Sequence, residues 1–140
     1  MEAFFFHEGH IREELITARA EQWARSFVQP ERPGEKWKRN PKLTSAQLRN
    51  FYHEAKKLEE RCVNAEKPDA SFREIRPLVK MLKAKVAYAC PDTGRDRKVP
   101  EEFKEFIDTM VDNVQNWHDF RAFMLCFEAV VGYFYGLGGR

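Results

Sequence analysis

A row of basic side chains with helical spacing is the strongest chemical signal in this sequence. Its members recur at intervals of three, four and three residues: Arg73, Arg76, Lys80 and Lys83. Residues three and four apart lie on one face of an α-helix, so these cations should form a stripe. Lysine and arginine bind phosphate groups whatever the base sequence. The stripe therefore indicates binding of a nucleic-acid backbone, and a solvated helix face is the competing interpretation.

A second basic region strengthens the first interpretation. Residues 29–50 carry six basic and two acidic side chains, and they include Arg39 and Lys42 in a segment rich in proline. Residues 71–98 have a net charge of +5, whereas residues 99–120 have a net charge of −5. The overall charge of +2 hides this asymmetry. One side of the molecule should attract a polyanion and another should repel it.

Metal and redox chemistry have little support in the sequence. His7 and His10 are three residues apart and resemble an incomplete zinc-protease motif, but solvent-exposed histidines are the better interpretation. The three cysteines lack paired ligand spacing. Cys62 and Cys126 are expected in the core, and Cys90 is expected at a loop edge, where it is open to oxidation. We expect no metal site and no cofactor.

Catalytic motifs are not apparent either. The sequence has neither a glycine-rich phosphate loop nor a nucleophile elbow. Glu128 lies inside the apolar stretch FEAVVGY, so we expect it to be partly buried and structural. The sequence therefore predicts a protein that is not an enzyme.

The elements that must position these residues are helices. Apolar residues recur at helical spacing over residues 9–28, 44–65, 71–89, 100–117 and 118–135, and no strand pattern appears. Thr44 or Ser45 suits the N-cap of the second helix, and Ser71 with Glu74 suits a capping box in the third. Pro77 is expected near the entry of that third helix. On the second helix, Arg49, His53 and Lys56 should share a face away from the apolar stripe.

These patterns predict an all-α protein, a single compact bundle of about five helices. A chain of 140 residues is sufficient for one domain, which would span residues 1–140. Residues 1–9 are expected to be mobile, and residues 29–43 and 90–99 are expected to form basic loops. No apolar run is long enough to cross a membrane, the N-terminus does not resemble a secretory signal, and unpaired cysteines suit a reducing cytoplasm.

Three segments in order resemble a known family. They read LTSAQLRNFY at 43–52, LKAKVAY at 82–88 with Gly94-Arg95 after it, and FEAVVGY at 127–133. Similar segments occur, in this order and at similar separations, in the small α-helical subunit of type III-A CRISPR (Csm) effector complexes. The resemblance covers about residues 43–139, and the first forty residues show no match.

The resemblance implies a function. Such subunits stack in copies along the complex, contact the paired crRNA and target RNA, and touch the backbone subunits and the large polymerase-like subunit. It implies a non-catalytic role in antiviral defence in the prokaryotic cytoplasm. Basic positions of the matching segments assign RNA contacts to Arg49, Lys83, Lys85 and Arg95. The other matching residues are expected in the core: Leu48, Phe51, Tyr88, Phe127 and Tyr133.

The full set of expected RNA contacts combines the resemblance with the charge pattern. It consists of Arg39, Lys42, Arg49, Lys56, Lys80, Lys83, Lys85 and Arg95. Residues 99–120 are expected to form an acidic end that docks against a basic neighbour. Two other functions stay open at this point: a helical adaptor whose basic face docks an acidic protein, and a small enzyme or metal sensor using His7 and His10.

Overall fold

Apolar residues at helical spacing produce five α-helices in the computed structural model, which describes residues 3–31, 40–92 and 96–140. The helices are α1 (Ala18–Val28), α2 (Ser45–Val63), α3 (Pro68–Ala89), α4 (Glu101–Asn113) and α5 (Trp117–Gly136). Strands β1 (Phe6–His7) and β2 (His10–Ile11) and a 3₁₀-helix (Glu13–Ile16) precede them. The predicted all-α bundle is confirmed. No described helix is both long and apolar enough to cross a membrane.

The N-terminal segment differs from the helix predicted from residue 9. Glu8 and Gly9 have φ angles of 51° and 82°, and this left-handed turn joins β1 to β2 as an antiparallel hairpin. Phe5 is only 1% exposed and packs in the core. The turn delays the first α-helix to Ala18, so the predicted start was wrong. The mobility expected of residues 1–9 stays a prediction.

An aromatic cluster around Phe106 joins three helices. Phe106 of α4 is fully buried, and its ring lies 5.5 Å from Trp23 and 5.7 Å from Phe27 of α1. Phe127 of α5 lies 5.5 Å away on another side. All three pairs meet edge to face, the geometry that aromatic quadrupoles favour. The cluster fixes how α1, α4 and α5 pack together.

The segment after α1 is held to the start of α4 by a buried carboxylate. Glu102 is 7% exposed and accepts hydrogen bonds from the Glu31 backbone N–H and from Asn40 Nδ2, both at 2.9 Å. Asn40 Oδ1 accepts in return from the Glu101 backbone N–H at 2.8 Å. Because the Glu102 carboxylate and the Asn40 amide both have hydrogen-bond partners, burial of the carboxylate is tolerated.

The start of α3 was predicted incorrectly. The helix begins at Pro68, where the missing proline N–H costs no hydrogen bond, and no side-chain cap is present. Ser71 and Glu74 therefore lie inside the helix and do not form the predicted capping box. Pro77 also lies inside the helix and not at its entry. The apolar stripe was predicted correctly: Phe72, Ile75, Val79, Leu82 and Val86 are buried.

The boundary between α4 and α5 lies a few residues earlier than predicted. Asn116 is the N-cap of α5, and its side chain accepts from the Asp119 backbone N–H at 2.9 Å. Asp119 in turn accepts from the Gln115 backbone N–H at 3.0 Å. This local network stops α4 at Asn113 and makes Trp117 the first residue of α5.

The N-cap of α2 offers a direct test of the fold. Thr44 and Gln47 form a capping box, with bonds of 3.2 Å and 2.9 Å, whereas Ser45 is the first helical residue. We expect Thr44→Ala to lower the free energy of unfolding by about 1 kcal/mol. Ser45→Ala, the matched control, should change it by less than about 0.5 kcal/mol. Urea denaturation measures both, and equal losses would contradict the assignment of the cap to Thr44.

Candidate nucleic-acid interface

The candidate cations on α3 point to two different sides of that helix. Lys83 Nζ lies 2.5 Å from Asp112 Oδ1 of α4, whereas Lys85 Nζ lies 2.8 Å from Glu54 Oε2 of α2. Two residues along a helix correspond to a rotation of about 200°, so one lysine reaches each neighbouring helix. The sequence predicted both lysines as contacts to the same RNA, but the structure places them on different sides of α3.

The predicted basic stripe lies on the side of α3 that faces α4. Arg73, Arg76 and Lys80 are exposed, and none of them has an ion-pair partner among the described residues. Lys83 ends the stripe and is bound to Asp112. From Arg73 to Lys80 the helix rises about 10 Å. Three unpaired cations along that length present a surface suited to an extended anion.

Arg49 and Lys56 of α2 lie on a third side, toward α5. Lys56 Nζ donates to Glu59 Oε1 at 2.7 Å, and this hydrogen bond raises the pKa of Lys56. Glu59 is 5% exposed and also contacts Arg121 Nε of α5 at 3.3 Å. Arg49 is exposed, and the described part of the chain holds no carboxylate within ion-pair distance of it.

Of the three remaining predicted RNA contacts, the structure describes only Lys42. Lys42 is exposed and precedes Leu43, whose backbone N–H donates to the Phe27 carbonyl at 3.0 Å. Arg39 and Arg95 lie outside the described residues, so their assignment stays a prediction. Of the eight predicted cations, those described fall into a paired group (Lys56, Lys83, Lys85) and an exposed group without described ion-pair partners (Lys42, Arg49, Lys80).

Acidic residues of segment 99–120 largely act within the fold. Glu102 and Asp119 are buried at 7% and 9% exposure and accept backbone hydrogen bonds. Lys104 Nζ contacts Asp108 at 2.7 Å, and Asp112 binds Lys83. Glu102 cannot therefore belong to an acidic docking surface, which corrects that part of the prediction. The docking role of the other acids stays a prediction.

Two expectations about individual side chains were wrong. Tyr88 was expected in the core but is 63% exposed, with Lys98 Nζ at 5.8 Å from its ring centre. Glu128 was expected to be partly buried but is exposed on α5. Both lie in apolar stretches of sequence, yet the helix turns them away from the buried stripe. Apolar neighbours in the sequence are therefore not sufficient to predict that a residue is buried in the core.

The two histidines lie side by side across the hairpin. His7 and His10 are register partners of β1 and β2, and both are exposed as predicted. His7 Nε2 is 3.9 Å from Glu8 Oε1. Over the described ranges, no group of three or more potential metal ligands is present. The geometry gives the enzyme or metal-sensor hypothesis no support.

A groove that was not predicted from the sequence lies between α2 and α3. Lys57, Arg61 and Lys85 lie at its edges, and Leu78 and Met81 are exposed on its wall. A signal was present: Lys57 and Arg61 are four residues apart and Leu78 and Met81 are three apart, spacings that share a helix face.

The fold and charge distribution define an all-α bundle with exposed cationic helix faces. Comparison with protein families gives the particular class. The family model for Csm2 Type III-A matches residues 13–139. The chain belongs to this family and is thus a small subunit of the type III-A CRISPR Csm complex. The match starts thirty residues before the segments recognised in the sequence and includes α1.

Two other comparisons add no relatives. Neither a search of curated proteins nor a search of solved structures found a match. The family assignment therefore depends on the family model alone, which covers most of the chain.

The buried thiols give a prediction for high pH. Cys62, Cys90 and Cys126 are at most 2% exposed, and burial raises the pKa of each thiol, that of Cys126 to about 12. In the unfolded chain Cys126 should ionise near its usual value of 9.0. Its contribution to stability should therefore be complete below pH 9 and decline as the pH rises toward 12.

Thiol labelling tests the burial of the cysteines, and urea denaturation tests the predicted loss of stability at high pH. In the native protein at pH 8, all three cysteines should react with Ellman's reagent much more slowly than after unfolding, because thiolates are the reactive form. Cys90 follows α3 directly, at the loop edge as predicted, but it is buried and not open to oxidation. Rapid native labelling of Cys90 would contradict that burial. The urea concentration at the unfolding midpoint should decrease as the pH is raised from 9 to 10.5. Cys126→Ala should make this decrease smaller.

Proposed function

We propose that this chain is a non-catalytic small subunit that binds the backbone of crRNA paired with target RNA, without reading bases, and so contributes to antiviral defence. The observation that supports the proposal is the exposed row of Arg73, Arg76 and Lys80, which lacks carboxylate partners in the described residues. At the end of the row, Asp112 of α4 is already bound to Lys83.

Backbone binding suits the chemistry of these side chains. Phosphate contacts need cations at intervals along an exposed element and carry no sequence information. Modules that read RNA sequence stack bases on exposed aromatic side chains and hydrogen-bond to the base edges. The exposed row of α3 carries arginine and lysine instead. A subunit that must accept any guide sequence requires this kind of binding.

The contacts differ in expected strength. Lys42, Arg49 and Lys80 are the primary contacts in this proposal, together with Arg73 and Arg76, because they can bind phosphate without first releasing a carboxylate. Lys56, Lys83 and Lys85 must exchange Glu59, Asp112 and Glu54 for phosphate. Arg39 and Arg95 complete the predicted set.

The wider setting follows from the family. The proposal places the subunit in the prokaryotic cytoplasm, beside the backbone subunits, the large polymerase-like subunit and further copies of itself. Cleavage of target RNA would belong to other subunits, and this chain would need no cofactor.

Salt dependence of RNA binding tests the proposal. With the five primary phosphate contacts, the logarithm of the affinity should fall against the logarithm of the salt concentration with a slope of about −4. Fluorescence polarisation with a guide–target duplex and with a duplex of unrelated sequence should give equal affinities. A clear preference for one sequence, or a slope near zero, would contradict backbone binding.

Comparing Lys80 with Lys83 tests which lysine of α3 contacts phosphate. Lys80→Ala should make the slope shallower by about 0.7–0.9, because one phosphate contact is lost. Lys83→Ala, on the same side of α3, should change it less, since Asp112 already neutralises Lys83. Arg49→Ala should weaken binding to all RNA sequences equally. Equal effects of Lys80→Ala and Lys83→Ala would show that the ion pair opens freely on binding.

A further inference from the structure

The groove between α2 and α3 combines an apolar wall with a cationic edge. Its volume is about 500 Å³. Leu78 and Met81 of α3 are 44% and 50% exposed, and Leu82 and Leu58 continue the apolar lining inward. Exposed aliphatic side chains on a helix that also has a buried stripe leave α3 with two apolar faces. The second face has no partner among the described residues.

The edges of the groove are positively charged. Lys57 and Arg61 are exposed on the α2 side, one helical turn apart, and neither has an ion-pair partner in the described ranges. Lys85 stands on the α3 side and is shared with Glu54, the one acidic residue of the lining. Three cations against one carboxylate give the groove a net positive charge.

The apolar wall decides what kind of partner fits. A phosphate backbone placed against Leu78 and Met81 would lose water without gaining hydrogen bonds, which is costly. An amphipathic helix, by contrast, buries its apolar stripe in such a groove through residues at i, i+3 or i+4, and i+7. Methionine adapts its shape to irregular partners. The cations at the edges then favour carboxylates beside that stripe.

We propose that this groove, defined by Leu58, Leu78, Met81 and Leu82 and edged by Lys57, Arg61 and Lys85, binds an acidic amphipathic helix of another protein subunit of the complex. Lys85 thereby serves protein docking, on the opposite flank of α3 from the Lys80 row. The proposal needs only membership in a multi-subunit complex. It does not depend on RNA binding by Arg49 or Lys80, so the two proposals can fail separately.

Photo-crosslinking in the assembled complex tests the occupant. The photoreactive residue p-benzoyl-phenylalanine replaces Met81 in one variant and Lys80 in another, and each is assembled with the other subunits and guide RNA. We expect position 81 to crosslink to a helical peptide of another subunit with acidic residues flanking an apolar stripe. Position 80 should crosslink to RNA, and its failure to do so would count against RNA binding alone.

The other outcomes at position 81 overturn the docking proposal. Crosslinks to RNA would make the groove a nucleic-acid surface. Crosslinks to a second copy of this chain would make it a self-association surface. A yield no higher than that of the same residue placed at exposed position Leu125 of α5, outside the groove, would show that nothing occupies the groove.

Placing carboxylates on the apolar wall of the groove supplies a second measurement, which does not require the partner to be known. Leu78→Glu combined with Met81→Glu should reduce incorporation into the purified complex by at least about tenfold, as loss of a buried interface anchor does. Both positions are exposed, so folding should survive, and circular dichroism checks this. Leu125→Glu, at an exposed leucine of α5 outside both the groove and the basic row of α3, is the control and should incorporate normally. Equal incorporation of all variants would refute the proposal.

Discussion

The packing of aromatic rings around Phe106 is the interaction on which the rest of this structure depends. Trp23 and Phe27 reach it from α1, and Phe123 and Phe127 reach it from α5, with ring centres 5.5 to 6.4 Å apart. Each such pair adds about 0.5–1.5 kcal/mol beyond the burial of area. Because rings of this size interdigitate in few ways, the cluster fixes three helices and leaves α2 and α3 to cover its open side.

The position of α3 follows from that arrangement and determines the charge distribution. Helix α3 packs between α2 and α4, and one lysine from each flank binds a carboxylate on the neighbouring helix: Lys85 binds Glu54, and Lys83 binds Asp112. These pairs neutralise the cations closest to the helix contacts. The cations farther out, including Lys80, stay without partners in the described residues. Helix packing, and not composition alone, separates cations that are available to a ligand from those that serve the fold.

Much of the fold was predictable because a period of 3.6 residues reports burial directly. The stripe from Phe72 to Val86 and the cap at Thr44 are local features; the stripe was predicted correctly, and Thr44 was one of the two caps that the sequence allowed. The ion pairs were not predictable, since Lys85 and Glu54 are 31 residues apart and nothing local couples them. The same limit explains the errors at Tyr88 and Glu102. Which neighbour faces a residue depends on how the helices pack, and the sequence pattern does not contain that information.

The two flanks of α3 offer different chemistry, and the two proposals assign a different partner to each flank of this 22-residue helix. On the α4 flank, Arg73, Arg76 and Lys80 form a hydrophilic cationic row, which suits an anion that keeps much of its water. On the α2 flank, Leu78 and Met81 are apolar, and burying them requires a partner that excludes water. A polyanion gains little on the second flank, and an apolar helix gains little on the first. The two proposed partners would therefore not compete for the same surface of α3.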